Sequence, residues 1–333
     1  MNGKAYVDGM LVDWGSRIFN GSPVIVTSTK KGMTGISVRQ HTSVKGGSIK
    51  QSGDAKAIRS KLGSIAKRTP EVMVRISGGG KGMKHVKAHL DYISRNGQLE
   101  AEDQNGDRLN GKEEIDGLRY EWQNGGFPIA EENGSRREAF NIVLSMPAGT
   151  NELAVKRAAR DFASSEFGNH QYVMVLHTFE TDPDPVPSPN PHVHLAVKAM
   201  GLDGTRLNPR KEDLQRWREE FADALRQNGI EAAATKRLHR LHLARGEKQG
   251  VREKKGRGET LDRIGRSQAG IERVTQAKER ERLVLKSYRE IATVLANSDD
   301  VEDRRLAAGL VHRLSESQQK EPVLRDHTKD HER

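Results

Sequence analysis

Asn190-Pro-His-Val-His194 sets two imidazoles two residues apart, directly before the apolar run Leu195-Ala-Val197. The run reads as a buried β-strand. Successive strand side chains point to opposite faces, so His192 and His194 share one face while Val193 and Leu195 take the other. Two neutral imidazoles one strand repeat apart can both ligate a single divalent cation. A third, His177, ends another strand-like run, Tyr172-Val-Met-Val-Leu176. Together the three point to a metal site. The alternative is that His192 and His194 sit half-buried and hydrogen-bonded in a core strand. The chain has no Cys, so any metal must use His and oxygen ligands, and disulfides and thiol catalysis are excluded.

Tyr92 is a second residue with chemical potential. It stands in Lys87-Ala-His-Leu-Asp-Tyr-Ile-Ser-Arg-Asn-Gly97, one position before an apolar stripe residue, Ile93. It is either an amphipathic filler beside the core or a nucleophile. A phenol of ordinary pKa, about 10, needs a base or a cation to attack at neutral pH. A metal on the scissile phosphate, with His85, His89 or Arg95 near in sequence, would provide that setting. The preceding Ser77-Gly-Gly-Gly-Lys-Gly82 lacks the Gly-Lys-Ser/Thr ending of a P-loop and the glycine spacing of a dinucleotide fingerprint, so ATPase and dehydrogenase readings fail. It is a turn, either a plain one or one lying near a nucleic-acid backbone.

The elements that must position these residues follow from periodicity. Val72–Ile76 alternates as a strand, and a helix is expected from Met83 to about Asn96 with Val86, Leu90 and Ile93 on one stripe and Gly97 as its stop. A short helix contains Leu118, Tyr120 and Trp122. Strands are expected at 139–144, 172–177 and 192–199. A helix capped at Thr150 or Asn151 runs through Ala154, Ala158 and Phe162, and another spans Asp213–Asn228. The order β, α, β, α, β, β, α describes an α+β fold, a largely antiparallel sheet with helices on one face. We expect three parts: a basic, flexible arm over 1–70, a core domain over 71–235, and a charged helical extension over 236–333 with a helix at 274–296. His239 and His242, on the basic stretch after the core, are assigned to solvent.

Charge narrows the partners. The net charge is +10, with 34% hydrophobic residues and 5% aromatics, and the pI is near 9.7. Such a balance favours a polyanion, nucleic acid above all, and is too polar for one globule to take up the whole chain. No signal peptide or membrane span is apparent, so a cytoplasmic protein without membrane insertion is expected.

The segment Arg75–Gly97 resembles the first motif of conjugative relaxases, the mobilisation nucleases, most closely the subgroup of HUH-type tyrosine nickases that includes the T-DNA border endonuclease. Ile142-Val-Leu-Ser-Met-Pro-Ala-Gly-Thr150 resembles the second motif, and His177 with Asn190–His194 the third; the likeness spans about residues 72–246. The resemblance implies a relaxase palm-like fold and the catalytic roles. Tyr92 would attack a DNA phosphate at a transfer origin, leaving a 3′-hydroxyl and a 5′-phosphotyrosine that can be resealed. Ser145 would lie near bound DNA, and His177, His192 and His194 would hold Mg2+ or Mn2+, with Zn2+ also suited to imidazole. The acidic residue usual two positions after the first His is Phe179 here, and a long Pro-rich stretch, 178–191, separates His177 from His192. Glu180, Asp182 and Asp184 are the candidates for that acid. Lys81, Lys84, Lys87, Arg95 and Asn190 are candidates for DNA contact. The implied partners are single-stranded origin DNA, relaxosome accessory proteins, and a coupling protein with its type IV secretion machinery, in a bacterium carrying a plasmid or mobile element. Three other readings remain: a rolling-circle replication initiator, a catalytically degenerate DNA-binding accessory protein, and a metal hydrolase of small phosphoesters.

Overall fold

The computed structural model describes residues 3–15, 18–19, 51–132, 134–184, 187–241, 257–258 and 268–319. The chain divides into two compact units, one spanning Thr69–Ala234 and one drawn from both ends, Met1–Arg68 with Thr235–Arg333. Two helices at the start, α1 (Lys4–Gly15) and α2 (Gln51–Lys67), belong to the second.

The central unit runs β1 (Met73–Gly78), α3 (Met83–Ser94), β2 (Ala101–Asp103), β3 (Arg108–Leu109), α4 (Lys112–Asn124), β4 (Ala139–Ser145), α5 (Glu152–Phe167), β5 (His170–His177), β6 (His192–Gly201) and α6 (Lys211–Gln227). Its sheet has the order β1-β4-β6-β5-β2-β3, antiparallel at every pairing. The two histidine strands, β5 and β6, are therefore neighbours at its centre. Alternation along the strands divides the core. Ile142, Leu144, Val193, Leu195 and Met174 face Val155 and Phe162 of α5 and Trp217 and Phe221 of α6. The opposite side chains, Ala139, Val173, Val175 and Ala196, face Val86, Leu90 and Ile93 of α3 and Ile115, Leu118 and Trp122 of α4. The α+β class and the antiparallel sheet are as read from the sequence. Helices flank the sheet on both faces, however, rather than on one. The Asn151 side chain caps α5 by accepting from the Ala154 N–H at 2.9 Å. The β2–β3 hairpin escaped the sequence reading because strands of three and two residues are too short to show alternation.

After the sheet unit come α7 (Gln268–Ala296) and α8 (Val301–Gln319). In the second unit, Val7, Leu11 and Trp14 of α1, Ile58, Leu62 and Ile65 of α2, Val284, Tyr288, Ile291 and Leu295 of α7, and Ala307, Leu310 and Leu314 of α8 form one core. Each helix uses spacings of three and four, the amphipathic stripe of a helix packed on neighbours. So residues 4–15 and 51–67, within the stretch expected to be a flexible arm, are packed helices. Their narrow stripes are diluted by glycines and charges, which hid them from a compositional reading. His239, expected in solvent, is instead buried, with ring centroids 5.4 Å from Phe19 and 6.4 Å from Tyr288. Its burial holds its pKa down at about 4. The rest of the expected arm, residues 20–50, together with His242 and the basic run 252–256, lies outside the described residues. Among the described residues, no helix is long and apolar enough to cross a membrane.

Candidate metal and nucleophile site

The sheet register builds the site. His177 of β5 lies directly opposite His192 of β6, and Ser145 of β4 lies opposite His192 on its other side. Paired residues share a face, so Ser145, His192 and His177 form a row, with His194 one strand repeat away on the same face. The ring centroids of His177 and His194 are 4.5 Å apart, those of His177 and His192 5.2 Å, and those of His192 and His194 5.1 Å. The one face predicted for His192 and His194 is what the strands present.

Helix α3 covers this row. A glycine-rich turn launches it: a Cβ on Gly79 would stand 2.5 Å from the Ala139 carbonyl oxygen, and one on Gly82 2.5 Å from that of Glu132. The turn is thus a close backbone crossing, which supports the plain-turn reading of 77–82. The helix stops just past Tyr92, because Arg95 and Asn96 are left-handed with φ of 49° and 56°. That stop frees the last carbonyls of α3 from intrahelical bonds. The Ile93 carbonyl accepts a hydrogen bond from His177 Nε2 at 2.7 Å, so the helix end that carries Tyr92 also fixes the His177 ring. His192 is oriented likewise, its Nδ1 donating to the Asn190 carbonyl at 2.9 Å.

These bonds leave lone pairs for a cation. His177, His192 and His194 each offer a ring nitrogen within 4.8 Å of the others. Nδ1 of His177 and Nδ1 of His194 are buried and have no hydrogen-bond partner. Burial, then the nearby imidazoles and Arg75, push His194 down to about 2, and burial also lowers His177. Neutral, clustered imidazoles with unsatisfied buried nitrogens fit a divalent metal.

Tyr92 stands over the cluster, its ring centroid 5.8 Å from His194 and 6.3 Å from His177. Its hydroxyl donates to Asp184 Oδ1 at 2.7 Å. Burial, and then Asp184, hold its pKa well above the ordinary phenol value. The three candidate acids separate. Asp184 meets the Tyr92 hydroxyl. Asp182 is buried and accepts from the backbone N–H groups of Asp184 and Ser188, at 3.1 and 2.9 Å, and one of its oxygens stands 3.9 Å from His192 Nε2. Glu180 is exposed. The Pro-rich stretch thus returns two carboxylates to the site.

The DNA-contact candidates separate as well. At about 100° per residue, Lys84 and Lys87 sit about 80° and 140° around α3 from Tyr92, on its exposed side. Lys81 is exposed in the preceding turn, and Arg95 is half-exposed at the helix end. The Asn190 side chain accepts from the Ala148 N–H at 2.9 Å, tying together the loops after β4 and before β6. Sequence reasoning missed Arg75, which β1 presents on the histidine face opposite Val143; alternation along 72–76 carried that signal. His89 was noted only as a neighbour of Tyr92. Its ring is stacked beside that of Tyr92 at 6.4 Å and lies 6.2 Å from His194, and its Nε2 is buried without a partner.

The family model of relaxases, described as the MobA/VirD2-like nuclease domain, matches residues 92–230. Over 128 residues the chain is 27% identical to the T-DNA border endonuclease VirD2 of Agrobacterium fabrum (strain C58), and equally to that of Rhizobium rhizogenes. The alignments cover 34% of this chain and 28% and 29% of those proteins, so the chain spans under a third of the length of these relatives. The matched segment, which holds Tyr92, Ser145 and all three clustered histidines, is thus similar to the nuclease domain of MobA/VirD2-like relaxases.

Proposed function

We propose that this chain is a site- and strand-specific nickase of single-stranded DNA, acting at a transfer origin to initiate conjugative mobilisation. The observation that carries the reading is the convergence of a Tyr92 hydroxyl, hydrogen-bonded to a carboxylate, with a buried histidine cluster on one sheet face.

Burial and Asp184 keep Tyr92 protonated at neutral pH, so attack requires a base at the hydroxyl. Asp184 Oδ1 takes that proton as Tyr92 Oη bonds to phosphorus. The P–O3′ bond breaks, and the departing oxygen gains a proton from solvent to become a free 3′-hydroxyl. The remaining 5′-phosphotyrosine conserves the ester, so an incoming 3′-hydroxyl reseals the strand by the reverse steps without ATP. His177, His192 and His194 would hold Mg2+ or Mn2+, with Zn2+ also compatible, and when bound the ion supplies charge neutralisation at the scissile phosphate. The Ile93 carbonyl keeps His177 in register with the helix bearing the nucleophile. Arg75 and Arg95 supply positive charge for the flanking phosphates. The corresponding partners are relaxosome accessory proteins and a coupling protein of a type IV secretion system, in the cytoplasm of a bacterium carrying the mobile element.

The test incubates the protein with single-stranded DNA of candidate origins and Mn2+, followed by a denaturing gel. A covalent protein–DNA band is expected from one strand only, and Tyr92→Phe should abolish it. A band that survives in Tyr92→Phe would sink the nucleophile assignment, and no band on any strand would sink the nickase.

A further inference from the structure

At the far end of β1 and β4 from the histidines, a cleft of about 480 Å³ opens among Ile76, Arg136, Arg137, Arg206, Leu207 and Pro209. That volume is in the range of sites that take a small organic unit. Phe140, also at this cleft, pairs with Val197 where Ser145 pairs with His192. The offset is five residues of strand, about 17 Å at the usual rise. The cleft also opens on the other face of the sheet, since Phe140 and Ile76 pack with the α5 and α6 core. It is therefore separate from the nicking site.

Its charge is one-sided. Arg206 is anchored, donating to the Arg137 carbonyl at 2.7 Å and to Glu138 at 3.0 Å. The Arg137 guanidinium lies over the Phe140 ring at 5.8 Å. Neither Arg136 nor Arg137 has an ion-pair partner among the described residues, and both are exposed. Two unused guanidinium forks suit phosphate oxygens, and the apolar floor of Ile76, Leu207 and Pro209 suits a sugar and base. Phosphate-binding donors over an apolar floor describe a nucleotide unit better than a bare anion.

We propose that this cleft binds a nucleotide of the DNA strand remote from the scissile phosphate, on the order of five or more nucleotides away at about 3.4 Å per nucleotide. The strand would pass around the edge strand β1 to reach it. The inference rests on the DNA reading above.

The test measures binding of fluorescent dT30 in EDTA, at 50 and 200 mM salt, to the full chain and to the Arg136→Ala, Arg137→Ala double variant. Two lost phosphate contacts should flatten the log–log salt slope by about 1.4, so the wild type should lose about sevenfold more affinity than the variant between the two salts. An Arg136→Lys, Arg137→Lys pair should restore most of the slope, and melting curves check that both variants are folded. Photo-crosslinking of dT30 containing 5-iododeoxyuridine should mark peptides spanning 136–140 or 206–209 in the wild type. An unchanged affinity and slope in the Ala variant, or crosslinks confined to the Tyr92 and histidine peptides, would overturn the proposal. If no strand forms a tyrosine adduct yet the slope still flattens, the nickase reading fails and the cleft stands. An intact adduct with an unchanged slope sinks the cleft alone.

Discussion

Saturating His177, His192 and His194 with Mn2+ is expected to raise the melting midpoint of the sheet unit. Without a cation, two buried nitrogens, His177 Nδ1 and His194 Nδ1, have no partner. Each unsatisfied buried polar atom costs about 1–3 kcal/mol, so the site is a local weakness that a ligand relieves. A cation at a hundredfold excess over its Kd adds about 2.7 kcal/mol to the folded state. At about 2–4 °C per kcal/mol for units of this size, the midpoint should rise by about 5–11 °C over an EDTA-treated sample. Differential scanning fluorimetry or calorimetry would read it. Because His194 is held at about 2 and His177 below its ordinary value, neither nitrogen needs to shed a proton at pH 7. Binding at pH 8 and pH 7 should therefore differ little through these two. His194→Ala should erase the shift. Superimposed EDTA and Mn2+ curves in the wild type, or a full shift in His194→Ala, would refute the argument.

Asp184→Asn should keep a hydrogen-bond acceptor near Tyr92 but no base, slowing adduct formation about 10²–10⁴-fold in single-turnover assays while leaving the Mn2+ midpoint shift intact. His239, held at about 4, stays neutral in the folded state while the unfolded chain takes up a proton below pH 6.5. Stability should therefore fall as pH drops from 6.5 towards 4, by about 2–3 kcal/mol at pH 4.5 in urea titrations, and His239→Phe should remove that slope. Arg59 donates to Asp8 and to the buried Asp303, each at 2.6 Å. Arg59→Ala should cost about 3–5 kcal/mol by chemical denaturation, and adding Asp303→Asn should recover part of it.

Much of the site was legible because strand periodicity carries face information without tertiary knowledge. The shared face of His192 and His194 follows from alternation alone, whereas placing Arg75 on it also needs β1 to neighbour β4 and β4 to neighbour β6. The pairing of His177 with His192 does not follow from alternation: it depends on which strands are neighbours, which periodicity leaves open. The acid was illegible for a physical reason. A 178–191 loop can return any of its carboxylates to the sheet end, and it is the turn built on Asp182, bonded to the N–H groups of Asp184 and Ser188, that delivers Asp184 to Tyr92. Charge near a motif says nothing of helical phase, so the positions of Lys84 and Lys87 relative to Tyr92 on α3 come only from the structure. The terminal helices were under-read: Val7, Leu11 and Trp14 form a stripe that a mean composition averages away.

The central claim, that Tyr92 is the nucleophile on DNA, is tested most directly by mass spectrometry of the covalent product. The wild-type chain would be reacted with its nicked strand and Mn2+, digested with protease and nuclease, and the nucleotide-bearing peptide sequenced. The account predicts a 5′-phosphonucleotide on Tyr92. A nucleotide on any other residue, or cleaved DNA with no attached peptide, would contradict it.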